Sequence, residues 1–276
     1  MDWETAQSSA DDLLAEGLYE LLSASKSKTH LQGAGNYLVS LADRPMYVGE
    51  AKDCRKRLAQ QLDERHSTFY KNYLGLGSNP IHPIDLFTIQ VISVAFGRKE
   101  IEDFGIVNLP TQLNRFQLGK RTSQPKASST ERWIRLQALS ANLLTQAATR
   151  CEKIDVSPWA VATAPDSSGL YLIRSPQGEI IYIGESSGIK ARFHTHGTRT
   201  YFSAVRRNLG VDLLGFQLQT IKGKKRYFSD EEDGRVTSYL RQCSIGFFPV
   251  HIGRYELEEH LIAKHMPILN RKAKPA

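Results

Sequence analysis

No run in this 276-residue chain reaches the roughly 20 apolar residues that a bilayer-crossing helix needs. Cysteine is scarce: Cys54, Cys151 and Cys243 are odd in number and lack metal-ligand spacing. That excludes a disulfide framework and a zinc cluster, and predicts a reduced, cytoplasmic setting. The first residues carry Asp2, Glu4, Asp11 and Asp12 and no apolar core, so they do not read as a signal peptide. No helix-turn-helix or zinc-finger pattern is present either. Acidic residues are the minority charge, 29 against 36 Lys and Arg, which leaves a net charge of +7 and a pI near 9.2. This balance favours a polyanionic partner. With 41% apolar residues, the length is enough for about two packed domains.

What the chain does have is an internal repeat. Gly35-Asn36-Tyr37 is followed by Tyr47-Val48-Gly49, and Gly169-Leu170-Tyr171 by Tyr182-Ile183-Gly184. Arg57 lies eight residues after Gly49, and Arg192 eight after Gly184. Asn114 lies twelve after Glu102, and Asn270 twelve after Glu258. Gly97-Arg98 and Gly253-Arg254 precede the two glutamates at the same distance. Five elements recur in one order, each set spanning a predicted hairpin and helix.

Taken together, these residues resemble the GIY-YIG nuclease family, twice over. The stretch Tyr47 to Leu58 is similar to the N-terminal domain of the excision-repair incision subunit. The second copy, with His196 one helical turn after Arg192, resembles the restriction-enzyme branch. The resemblance implies an α+β fold: two modules, each a small three-stranded antiparallel sheet flanked by helices, joined by a helical linker. Residues 1–32 form a helical extension, 33–118 the first module and 119–166 the linker and connecting helix. The second module fills 167–276, with an insertion near 215–245.

The pattern supports this layout. Residues 11–25 read as an amphipathic helix, with Leu13, Leu14, Leu18, Leu21 and Leu22 along one side. Gly119 to Ser129 is polar and contains Pro125, as a linker would. One helix is predicted from Ser129 or Thr130 to Cys151, its stripe of Trp133, Leu136, Leu139, Leu143, Leu144, Ala147 and Cys151 serving packing. The acids Asp230 to Asp233 after Ser229 read as a capping box and not as a metal site.

The resemblance also assigns roles. Glu102 and Glu258 would each hold one divalent ion, magnesium by preference for hard oxygen ligands. Arg57 and Arg192 would bind the scissile phosphate. Tyr37 and Tyr171 are candidates for general base, assisted by Tyr47 and Tyr182; nearby cations would have to lower a phenol pKa near 10, or the phenol would relay a proton. Asn114 and Asn270 would buttress the sites. His196 shares a helix face with Arg192, whereas Gln61 stands at that step in the first module and cannot shuttle a proton. For nucleic-acid contact the acid-free stretches offer Lys190, Arg199, Arg206 and Arg207 in one copy and Arg115, Lys120 and Arg121 in the other. Lys224, Lys225 and Arg226 in the insertion are further candidates. The expected activity is metal-dependent cutting of both strands of duplex DNA by two sites in one chain, acting as a monomer or as a dimer, in a restriction-like role. The alternatives are a nickase for repair or junction structures, one active module paired with a non-catalytic DNA-binding one, and a DNA-binding or regulatory protein without hydrolysis.

Overall fold

In the computed structural model the described residues are 1–26, 33–77, 81–114, 126–198, 200–221 and 225–270. They form two compact units, 1–143 and 144–276.

The first unit opens with helices α1 (Trp3–Ser8) and α2 (Ala10–Ser23). Asp2 caps α1 by accepting from the Thr5 N–H. The predicted apolar side of α2 is buried at Leu13, Leu14, Leu18 and Leu21, while Leu22 is exposed. Strands β1 (Gly35–Leu41), β2 (Arg44–Ala51) and β3 (Phe87–Ser93) pair antiparallel in the order β2-β1-β3. The β1–β2 turn places Ala42 and Asp43 at positive φ, a conformation Asp tolerates. After β2 come α3 (Cys54–Gln61), capped by Asp53, and α4 (Thr68–Leu74), capped by Ser67. A single 3-10 turn leads into β3, and α5 (Arg98–Asn108) follows.

Helices α6 (Glu131–Ala138) and α7 (Ser140–Cys151) replace the single helix predicted here. The chain breaks at Leu139, whose N–H is shared between the Arg135 and Leu136 carbonyls, and the boundary between the two units falls within α7. Trp133 and Leu136 on α6 are fully buried in the first unit, as a packing stripe should be. Glu16 on α2 accepts from Arg132 Nε at 2.6 Å and from the Trp133 N–H at 3.0 Å. Gly17 is required there, because a Cβ would come within 2.4 Å of Ile101 and 2.9 Å of the Trp133 ring.

The second unit carries β4 (Ser157–Pro158), β5 (Gly169–Arg174), β6 (Ile180–Ser186), α8 (Ile189–Thr198) and α9 (Ala204–Asn208). A π-helical turn at Leu209–Leu213 then leads to a β7 (Gln219–Ile221) and β8 (Lys225–Tyr227) hairpin. Helix α10 (Asp230–Gln242), β9 (Ser244–Pro249) and α11 (Arg254–His265) complete it. The main sheet has four strands in the order β4-β9-β5-β6, not the three expected. The extra strand is a two-residue edge, in which Ser157 and Pro158 pair with Ile245 and Ser244 of β9. The β7–β8 hairpin and α10 account for the surplus length of this copy. Ser229 and Glu232 form the predicted capping box at the start of α10.

Candidate active site

In the second unit, β5 and β6 pair so that Tyr171 faces Gly184 and Ile173 faces Tyr182. The two tyrosine rings stack 6.0 Å apart. Only glycine fits at 184: a Cβ would lie 2.4 Å from the Tyr171 ring tip and 2.7 Å from Tyr182. The first unit repeats the arrangement. Tyr37 faces Gly49, its ring stacks 6.0 Å from Tyr47, and a Cβ at Gly49 would lie 2.5 Å from Tyr37 and 2.8 Å from Tyr47.

The two asparagines act alike. Asn270 accepts from the Ile183 N–H at 2.9 Å and donates to the Ile183 carbonyl at 2.7 Å. Asn114 does the same to Val48, at 3.0 and 2.8 Å. Each therefore clamps the residue between tyrosine and glycine and fixes the strand that presents the ring. The paired glycines Gly97 and Gly253 precede α5 and α11 in the left-handed conformation, with φ of 92° and 88°. The arginines after them are buried. Arg254 Nε donates to Glu185 at 2.9 Å, and Arg98 lies 4.0 Å from Glu50. Asn36, the middle residue of the first Gly-X-Tyr, donates to the Gly49 and Arg98 carbonyls.

Beyond this frame the units part. Tyr171 Oη lies 2.8 Å from His196 Nε2, and His196 Nδ1 lies 2.7 Å from Ser203 Oγ. Ser203 is held in turn as the cap of α9, accepting from the Arg206 N–H at 3.1 Å. His196 is buried, and that burial, reinforced by Arg192, Arg206 and Arg207, pushes its pKa down to about 3. Its imidazole is neutral at ordinary pH. Burial also raises Tyr171 well above a free phenol and Tyr182 to about 12. At both tyrosines burial outweighs the pull of the nearby arginine. Arg192 is exposed on α8, within electrostatic reach of both tyrosines. Glu258 is half-buried and accepts from the Glu185 N–H at 3.2 Å.

In the first unit Gln61 occupies the histidine's place, buried and hydrogen-bonded to Tyr37. Arg57 is half-buried and turned onto the tyrosines, donating to Tyr37 Oη at 3.4 Å. Burial raises Tyr37 and Tyr47 here too. Glu102 is buried, and burial raises its pKa to about 7 even though Lys99 pulls it down. Lys99 Nζ lies 2.8 Å from Glu50 Oε1 and 3.4 Å from Glu102 Oε2.

The divalent ion implied for each copy meets different donors. Around Glu258 a hard oxygen ligand is available, and a single carboxylate fits an ion that keeps its waters and takes substrate oxygen. Among the described residues no group of three or more His, Cys, Asp or Glu could form a closed metal cage. Around Glu102 the fit fails, because the Lys99 ammonium already sits between the two carboxylates.

Not every expected DNA contact survives. Arg206 is fully buried: its guanidinium donates to Thr200, to the His196 and Asp233 carbonyls and to Thr237, and pairs with Asp233 at 3.0 Å. It braces α8, α9 and α10 and cannot meet a phosphate. Arg207 is half-buried and spends Nη1 on the Thr200 and Tyr201 carbonyls. Lys190 is exposed on α8. Arg115, Lys120, Arg121, Arg199 and Lys224 lie outside the described residues, as do the side chains of Lys225 and Arg226.

Glu50, Glu185, Lys99 and Ser203 were not singled out from sequence. The signal was there for three of them. The repeat runs Gly-Arg-X-Glu-apolar-Glu in both copies, with Lys99 at X in one and Tyr255 in the other, and a glutamate directly follows Gly49 and Gly184.

Residues 164–276 match the family model of the GIY-YIG catalytic domain. The second unit of this chain carries a GIY-YIG catalytic domain. That makes the chain an endonuclease, a phosphodiester hydrolase, with DNA as the implied substrate. GIY-YIG domains generally depend on a divalent metal. No curated protein matches the chain. Among the described residues no helix is long and apolar enough to cross a membrane.

Proposed function

We propose that this chain is a magnesium-dependent DNA endonuclease whose hydrolysis is carried out by its second GIY-YIG unit. The observation that carries the reading is the hydrogen-bonded line Tyr171–His196–Ser203 beside exposed Arg192 and half-buried Glu258. Hydrolysis needs an activated water, charge neutralisation at phosphorus and help for the leaving oxygen. Arg192 binds the scissile phosphate, where a planar guanidinium can engage two oxygens. Neutral His196 accepts the Tyr171 proton at Nε2 as Tyr171 takes one from the water side, and the phosphate at Arg192 offsets a charge that disfavours a protonated imidazole. Glu258 would hold the ion, which when bound supplies Lewis acidity and a more acidic water. Asn270, Glu185 and Arg254 position these groups.

The first unit's Tyr37, Tyr47, Arg57, Glu102 and Asn114 stand in the same register, and this favours a second reading. There the chain is a tandem of GIY-YIG modules, each cutting one strand of a duplex, in a restriction-like action on foreign DNA. A panel of duplex, flap, junction and RNA substrates, each with magnesium or chelator, tests both readings. Magnesium-dependent cutting of plain duplex is the expected result. Cutting confined to junctions would point to a repair nickase, and cutting in chelator would remove the metal.

A further inference from the structure

Besides the histidine, the two units differ at the residue after the paired arginines, Lys99 against Tyr255. In the second unit Arg254 pairs with Glu185, whose N–H donates to Glu258. In the first unit Arg98 lies 4.0 Å from Glu50, and Lys99 is added between Glu50 and Glu102, at 2.8 and 3.4 Å. Tyr255 stands at the corresponding step of α11 and brings no charge. The first site thus carries one more cation among its own side chains than the second. Lys99 is not sealed away: 27% of its side chain is exposed. An ammonium supplies charge and three donors, but it has no bound water to acidify. It can hold a phosphate and cannot generate a nucleophile.

We propose that the first site is a metal-independent binding site for a nucleic-acid phosphate, in which Lys99 takes the place of the divalent ion and Arg57 makes the second contact. The proposal rests on reading the first unit as a copy of the second unit's frame. Its consequence is a nuclease that grips its substrate at one site before any metal arrives and cuts it at the other.

Terbium tests the metal half, because tyrosines close to each site would sensitise its luminescence. In the full chain, Glu258→Gln should remove the tyrosine-sensitised signal and Glu102→Gln should leave it unchanged. Lys99→Tyr, which copies the second unit, should create a second class of bound terbium, lost again on adding Glu102→Gln. Duplex binding in chelator tests the phosphate half. Lys99→Gln should weaken it and lower the slope of log affinity against log salt by about 1, the loss of one phosphate contact. Lys99→Met is the control for packing, since it keeps the stem and should behave as Lys99→Gln does. A wild-type terbium signal that falls with Glu102→Gln, or a salt slope unmoved by both lysine variants, overturns the proposal. If Glu258→Gln leaves the signal unchanged while the lysine results hold, the metal reading of the second unit fails and this inference stands.

Discussion

The two units share a frame and differ in what fills it. Both present paired tyrosines over a glycine with no room for a Cβ, and both clamp the intervening residue with an asparagine. They diverge at two steps. His196 becomes Gln61, and Tyr255 becomes Lys99. On the proposed reading each change removes a chemical capacity: the first a proton acceptor, the second room for a metal. A retained constellation is therefore weaker grounds for activity than the neighbours that set its protonation and charge.

The largest expected contrast is at the arginines. Arg192→Ala should cost roughly 1000-fold in single-turnover cleavage, about 4 kcal/mol of transition-state stabilisation. Arg57→Ala should weaken substrate binding and leave the chemical step near the wild-type rate. Equal losses in the chemical step would erase the distinction between the units.

Next in size is the relay. His196→Gln, which copies the first unit, should slow cleavage by about 100-fold or more, within the usual range for a general acid or base. Gln61→His alone should not awaken the first unit while Lys99 remains. A measurable gain from Gln61→His in a Glu258→Gln background would show that the lysine is no barrier.

His196 also sets a pH limb of stability. The unfolded chain binds the imidazole proton below about pH 6.5, while the folded chain resists it down to about 3. The native state therefore loses stability as pH falls from about 6.5 towards 3, by up to about 1.4 kcal/mol per pH unit from this residue. Denaturant unfolding at pH 7 and pH 4 should show a smaller drop for His196→Gln than for wild type. An identical drop would mean that the histidine is not held neutral.

The smallest effects are the clamps. Asn270→Ala and Asn114→Ala should each cost about 1–3 kcal/mol, because each leaves the N–H and carbonyl of a mid-strand residue without partners. Thermal unfolding measures both, and Asn270→Ala alone should also reduce activity.

Much of this was legible in the sequence. The hairpins, the glycines and the two asparagines repeat at fixed spacing, and spacing is what a shared frame preserves. Gln61 was visible as a departure for the same reason. What escaped depended on burial and on partners far apart in the chain. Arg206 sits in an acid-free, basic stretch and reads as a surface contact, but Thr200, Asp233 and Thr237 draw it inside. Ser203 looks like an ordinary helix cap until His196 is seen against it. The break at Leu139 leaves no mark in a stripe whose helical spacing continues across it. The fourth strand, two residues containing a proline, is too short to register as a period.

Supercoiled plasmid with magnesium, resolved into nicked and linear forms, tests the central claim most directly when wild type is run beside Glu102→Gln and Glu258→Gln. The account predicts that Glu102→Gln gives the wild-type product pattern and that Glu258→Gln leaves the plasmid supercoiled. Nicking without linearisation by each variant, from a wild type that linearises, would show two working sites and contradict it.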